Sequence, residues 1–199
     1  MESLNPEEVL KFLDLVNNLK HSSRRGWELC KINNHEKIAG HMYSMAMMTF
    51  LLGNNSKLDR FKCMQLALVH DLAESIVGDI TPHDNIPEDK KHAMEDEAMK
   101  ELTTHLGSEI GSLIYNLYKE YEAKETPEAK FVKDLDRFDM LFTASHYEHR
   151  DKEPRKLQEF FDATEGKFQH PYVRKLVLAL EQRRKTQNDL EVRTESNST

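Results

Sequence analysis

Leu66-Ala67-Leu68-Val69-His70-Asp71-Leu72-Ala73-Glu74 sets one imidazole and two carboxylates among side chains that are otherwise apolar. Apolar residues on nearly every side predict a central, buried helix, here spanning 59–76. Burying His70 beside Asp71 is costly unless something compensates. A divalent cation does so, because it neutralises the carboxylate and takes a lone pair from the imidazole. A hydrogen-bonded His–Asp pair in the core is the plainer alternative. Glu74 follows His70 by four residues and Asp71 by three, so the three share a helical face. A carboxylate there is placed to move protons for a metal-bound water. Asp79 comes next, beside Gly78 and before Ile80-Thr81-Pro82; as ordinary surface acids, Glu74 and Asp79 would need no role.

Two other predicted helices offer ligands of the same type. His41 opens a methionine-rich helix over 41–52, apolar nearly all round and therefore expected to be buried. Its stripe carries Met45, Met48 and Leu52, and Gly53-Asn54-Asn55 ends it. Asp136 lies in a helix over 127–147 whose inner residues are Phe131, Val132, Leu135, Phe138, Met140 and Phe142. Two imidazoles with two carboxylates form a mixed N/O set that suits Mn, Fe, Co, Ni or Zn better than a calcium cage.

The rest of the chain is helical too. Asn5-Pro6-Glu7-Glu8 reads as a cap, a proline at the first helical position and acidic early turns. Phe12, Leu15, Val16 and Leu19 follow as an inner face, and 21–35 reads as a loop. Further helices are predicted over 88–106 (Met94, Ala98 and Leu102 inside), 109–123 (Ile110, Leu113, Ile114, Leu117 and Tyr121 inside), 154–164 and 171–186. With seven glycines, six prolines and hardly any apolar/polar alternation, there is little room for a sheet. The expectation is an all-α fold, one helical bundle over 1–187, with a polar, disordered tail over 188–199.

Composition narrows the function. The chain has 199 residues, 38% of them hydrophobic, which points to one compact domain. Cys30 and Cys63 form no motif, so a reducing compartment is expected, the cytoplasm or the cytoplasm and nucleus. No stretch approaches the ~18 apolar residues of a membrane span. A net charge of −7 argues against a nucleic-acid duplex as partner. A small phosphate ester remains open, provided that a metal or a few arginines supply positive charge locally.

The order His41, His70-Asp71, Asp136 resembles the signature of the HD-domain phosphohydrolases. The likeness extends through Arg24-Arg25-Gly26-Trp27, Gly40-His41-Met42-Tyr43, Leu68 to Glu74, Val77-Gly78-Asp79-Ile80 and Ala129 to Asp136, about residues 7 to 183. In these the chain is similar to the HD-domain 5′-deoxynucleotidase family, of the eukaryotic HD domain-containing protein 2 type and YfbR-like. The resemblance implies a single HD-domain bundle that hydrolyses deoxyribonucleoside 5′-monophosphates. It implies that His41, His70, Asp71 and Asp136 hold the catalytic metal (Mn, Co or Mg first, Zn, Fe or Ni as alternatives). Glu74, Asp79 and the Ile80 carbonyl resemble a second cation site or a sugar-contacting set, hence one or two ions per chain. Asp71 and Glu74 are then the catalytic pair, and Arg24, Trp27 and Asp79 the substrate-binding residues. An arginine fork suits phosphate and an indole gives an apolar platform. A homodimer is the family expectation.

Two features depart from the family pattern. Ala39-Gly40 stands where relatives carry a serine and an acid before the first ligand histidine, so a cap contact is expected to be missing there. The Arg24-Arg25 doublet leaves two candidates for the phosphate, of which Arg24 fits the Arg-x-Gly-Trp pattern. His21, His35, His149 and His170 read as surface residues, and His92 and His105 fall in a charged amphipathic stretch. Competing readings are another HD-type nucleotide phosphohydrolase or phosphodiesterase, a non-catalytic nucleotide-binding module, and a di-iron oxygenase on the same scaffold.

Overall fold

The computed structural model describes residues 4–53 and 56–196, with side-chain surroundings through 187. Helices account for its regular structure. Among the described residues there is no strand, only an isolated antiparallel bridge between Ser23 and Lys37. The chain divides into two compact units, Met1–Val132 and Lys133–Thr199.

The first unit holds α1 (Pro6–Asn18), α2 (Arg25–Leu29), α3 (Ile38–Met48), α4 (Arg60–Val69), α5 (Glu74–Val77), α6 (Glu88–Thr104) and α7 (Gly107–Ala123). Single 3-10 turns occur at Thr49–Leu51 and Pro82–Asp84. α8 (Pro127–Asp151) begins in this unit and runs on through the second, which adds α9 (Gln158–Thr164) and α10 (Pro171–Ser196).

Local chemistry sets the helix starts. Asn5 Oδ1 accepts from Glu7 N (3.0 Å), with Pro6 in the first turn. Asp59 Oδ1 accepts from Phe61 N (2.9 Å) and Lys62 N (3.1 Å) at the head of α4. α4 packs against both α3 and α7, and α6 against α7 and α5. Ile38, Met45, Leu66, Ala67, Met99 and Leu102 of these helices are fully buried. Each large apolar side chain so buried stabilises the fold by roughly 1.5–3 kcal/mol.

In the second unit, Glu148 of α8 is buried and accepts from Arg184 Nε (2.6 Å) and Nη2 (2.9 Å) and from Leu157 N (2.8 Å). Asp134 Oδ2 accepts from Gln169 N (2.7 Å) and His170 N (2.6 Å), tying the chain just before α10 to α8.

Several expectations need correction. The helix expected over 59–76 breaks in two. After Val69 the hydrogen bonds shorten from four residues to three: Leu72 N to Val69 O, Glu74 N to Asp71 O and Ser75 N to Leu72 O, each 3.1 Å. His70 and Asp71 therefore sit at a helix end rather than in mid-helix. Tighter winding eclipses residues three apart, so Glu74 stacks over Asp71 more directly than in an α-helix.

α3 is not buried all round. His41, Met42, Met45 and Ala46 face inward, while Tyr43 (66%), Met47 (49%) and Phe50 (57%) are exposed. Apolar composition alone cannot tell an internal helix from one with an uncovered apolar face. Ile110 and Leu113 of α7 and Phe142 of α8, expected inside, are likewise exposed. The segment 21–35 contains α2, too short for a periodic signal. α10 continues to Ser196, past the end at 186 and into the stretch expected as tail, because residues 181–196 hold neither glycine nor proline and many good helix formers.

Candidate active site

Three elements of the first unit converge on one carboxylate. His41 comes from the first turns of α3, His70 caps the end of α4, and Asp71 follows in the tight turn. Both imidazoles are buried, their ring centroids 5.3 Å apart, and the Tyr121 ring of α7 lies 5.0 Å from that of His70. His70 Nε2 lies 3.2 Å and His41 Nε2 3.7 Å from Asp71 Oδ2. Arg24 Nη1 lies 3.4 Å from the same oxygen.

The donor set fits a metal ion. One ligand atom from each of His41, His70 and Asp71 falls within 4.8 Å of the others. His70 Nδ1 is 2.9 Å from the Ala67 carbonyl; as the donor there, it leaves the Nε2 lone pair turned toward Asp71. Buried His70 Nε2 has no hydrogen-bond partner. An acceptor nitrogen facing an acceptor oxygen is repulsive until a cation lies between them. Although burial works against ionisation, Arg24, together with His70 and His41 in their protonated forms, holds the Asp71 carboxyl below the usual carboxylate range.

The neighbouring carboxylates behave oppositely. Burial, then the charges of Asp71 and Asp79, push Glu74 well above its ordinary value, and its Oε2 is buried without a partner. Burial also raises Asp79, opposed by Arg24 and reinforced by Asp71. Gly78 sets Asp79's position: its φ of 74° ends α5 in a conformation that L side chains rarely adopt. Asp79 Oδ2 then accepts from Arg25 N (2.8 Å), tying the head of α2 to the end of α5.

The two arginines separate clearly. Arg24 turns to Asp71, whereas Arg25 Nε donates to Asp84 Oδ1 (2.9 Å). Asp84 also accepts from Thr81 N and Oγ1, and these bonds with Arg25 hold its carboxyl down to about 2. Trp27 is 2% exposed, and its indole N–H donates to Glu36 Oε1 (3.1 Å). The cap expected to be missing at Ala39-Gly40 is indeed not a side chain. Instead Ile38 N and Ala39 N donate to the carbonyls of Ser22 (3.2 Å) and Leu19 (3.1 Å).

Asp136 belongs to the second unit, where its Oδ2 accepts from Lys133 Nζ (2.7 Å). Lys91 and Glu95 are additions that the sequence does not single out. Lys91 Nζ donates to the Ile80 carbonyl (2.8 Å) and lies 3.5 Å from Oε1 of Glu95, one turn along α6. Their four-residue spacing is visible in the sequence, but it reads as an ordinary solvated pair on a charged helix. His92 lies 3.0 Å from Glu122, and His105 2.6 Å from Glu8.

A helical protein with a His/His-Asp cluster at the junction of two core helices falls within a known class. Residues 16–176 match the family model described as HD domain, and the chain belongs to that family. It is 46% identical over 178 residues to the Homo sapiens protein named 5′-deoxynucleotidase HDDC2, covering 89% of this chain and 87% of that one. It is 42% identical over 179 residues to the Schizosaccharomyces pombe 5′-deoxynucleotidase hdd1, covering 87% and 89%. Among solved structures, PH0347 from Pyrococcus horikoshii OT3 is similar at 28% identity and a TM-score of 0.70, covering 91% of this chain and 99% of that one.

Glu74 yields a pH-dependent prediction. A carboxyl whose pKa is raised by folding contributes its full share of stability below the unfolded value and loses it as pH rises. Glu74→Gln removes that liability. In chelator-treated protein the variant should melt several degrees above wild type at pH 8, and the gap should close toward pH 4.5. A gap that is constant across this range would show that the burial of Glu74 has no titration cost.

Proposed function

We propose that the chain is a metal-dependent phosphomonoesterase that hydrolyses deoxyribonucleoside 5′-monophosphates to nucleoside and phosphate. The observation that carries this is the meeting of His41, His70 and Arg24 at one oxygen of Asp71, with the buried carboxyl of Glu74 beside it. The names of the relatives supply the substrate class. The HD domain would extend over 1–187, and Asp136 would complete the ligand set as the fourth residue.

A divalent ion held there, Mn, Co or Mg, supplies polarisation of the phosphoryl oxygens and a water of lowered pKa. The protein's own groups do the rest. Arg24, 14% exposed and fixed against Asp71, offers a rigid fork to two phosphate oxygens. Glu74, whose burial and carboxylate neighbours favour its protonated form, can pass a proton to the departing O5′. Asp79 lies toward the sugar, where a carboxylate disfavours a 2′-hydroxyl neighbour. Trp27, expected as an apolar platform for the nucleotide, is buried within α2 with its indole on Glu36, so its proposed part is to anchor α2 beside Arg24. With neither Cys30 nor Cys63 in a disulfide, a reducing compartment is the reading we favour, the cytoplasm with or without the nucleus. The exposed Tyr43, Met47 and Phe50 stripe favours a homodimer.

Phosphate release tests the reading: deoxynucleoside monophosphates are offered with each of Mn, Co and Mg, beside ribonucleotides, a cyclic diester and a triphosphate. Fast release from the diester or triphosphate alone would replace it with another HD-type hydrolase. Within the same assay, Arg24→Lys should lower kcat/KM by roughly 10–150-fold, the equivalent of the ~1.5–3 kcal/mol of a charged hydrogen bond. Arg25→Lys, whose parent side chain is engaged by Asp84, should change it little. Equal losses at the two positions would remove the distinction between them.

A further inference from the structure

Four carboxylates lie within electrostatic reach of one another beside the proposed metal centre, and Arg24 and Lys91 are prominent among the cations that act on them. Asp71, Asp79 and Glu74 act on one another electrostatically, and Glu95 is in reach of Asp71. Arg24 and Lys91 are the positive groups that both Glu74 and Asp79 feel. Arg24 is drawn to Asp71. Lys91 acts on Glu74, Asp79 and Glu95.

Lys91 Nζ does so from a particular place. It donates to the carbonyl of Ile80, the residue after Asp79, at 2.8 Å. That carbonyl, Asp79 and Glu74, whose Oε2 is buried and unpartnered, are the set that the family resemblance offers as a second cation site, and oxygen donors of this kind suit hard divalent ions. An ammonium and a divalent ion cannot both occupy the same carbonyl oxygen at close range, since like charges a few ångströms apart repel strongly at a partly buried site. Lys91 also has a second place to go. Glu95 is buried, one turn further along α6, with Oε1 3.5 Å from Nζ.

We propose that Lys91 competes with a second divalent cation for the Ile80 carbonyl, so that Glu74, Asp79 and Ile80 form a weak cation site that fills only when the ammonium withdraws toward Glu95. The inference rests on the phosphohydrolase reading for its first, His-containing ion. Lys91 is in this sense a positioning residue, which sets how many ions the groove holds.

Binding of Mn2+ to the metal-free full-length protein, followed by the electron paramagnetic resonance of the free ion, tests this without reference to turnover. Wild type should bind one ion tightly and a second weakly. Lys91→Met should tighten the second site by about tenfold or more and leave the first unchanged. Lys91→Gln, which keeps a donor for the Ile80 carbonyl but no charge, should tighten it less than Lys91→Met but measurably. Lys90→Met, an exposed neighbour on the same helix, should match wild type. A second site no tighter in either Lys91 variant than in wild type overturns the proposal, as does a wild-type protein that already binds both ions equally. If Lys91→Met fails to fold by circular dichroism, Lys91→Gln decides. Tightened binding in a protein that releases no phosphate from nucleotides would sink the phosphohydrolase reading and leave this one standing; the converse result would do the reverse.

Discussion

Asp71→Asn should leave the protein helical, nearly metal-free and without measurable phosphate release. Asparagine has the shape of aspartate, so the tight turn after Val69 and its three-residue hydrogen bonds should survive. What it lacks is the charge on which His41, His70 and Arg24 converge within 3.2–3.7 Å. Without that charge, the remaining ligands must hold the ion beside an uncompensated guanidinium, which repels it. Loss of an outer-shell partner typically costs ~10–100-fold in metal affinity or activity, and a direct ligand should cost more. Metal analysis of the purified variant, with circular dichroism as the fold control, measures this. His70→Ala should behave alike, although it also leaves a cavity behind the Tyr121 ring. Full metal occupancy with near-normal turnover in Asp71→Asn would remove His70-Asp71 from the catalytic centre.

Much of this site is legible in the sequence because buried charge is rare and leaves a clear trace. His70-Asp71 stands out against Leu66, Ala67, Val69 and Leu72, and the structure brings His41 to the same oxygen. The choice of Arg24 over Arg25 also follows from a local pattern, and the geometry accounts for it through Asp84. Less is legible where the determinant lies between elements. The break between α4 and α5 comes from a change in hydrogen-bond register that no proline or glycine announces. The exposure of Tyr43, Met47 and Phe50 depends on what covers α3, which periodicity along one helix does not contain. Lys91 escapes a sequence reading because its partner is a carbonyl, and main-chain groups carry no sequence signal. The burial of Trp27 fits its indole bond to Glu36, nine residues away in a segment that reads as loop.

Glu74→Ala should lower turnover by ~10²–10⁴, the range for a positioned proton-transfer group, while the ion at His41, His70 and Asp71 stays bound. Three observations set this expectation. Glu74 is stacked over Asp71 by the three-residue winding, so it lies on the side of the proposed metal centre. It is 6% exposed, with one carboxylate oxygen lacking any partner, a state too costly to maintain for packing alone. Burial, Asp71 and Asp79 together raise its pKa, which favours the protonated form more than at an exposed glutamate. The loss should appear in kcat more than in KM, because a proton given to the leaving oxygen matters only as the bond breaks. Glu74→Gln separates the two contributions: it retains the shape and a hydrogen-bond donor but cannot give up a proton. If Gln recovers most of the turnover that Ala loses, Glu74 orients the substrate or water and transfers nothing. If Ala itself keeps wild-type kcat with its metal in place, the carboxylate is structural and the proton must come from elsewhere. Should both variants fall together with unchanged metal content, the proton-transfer role stands.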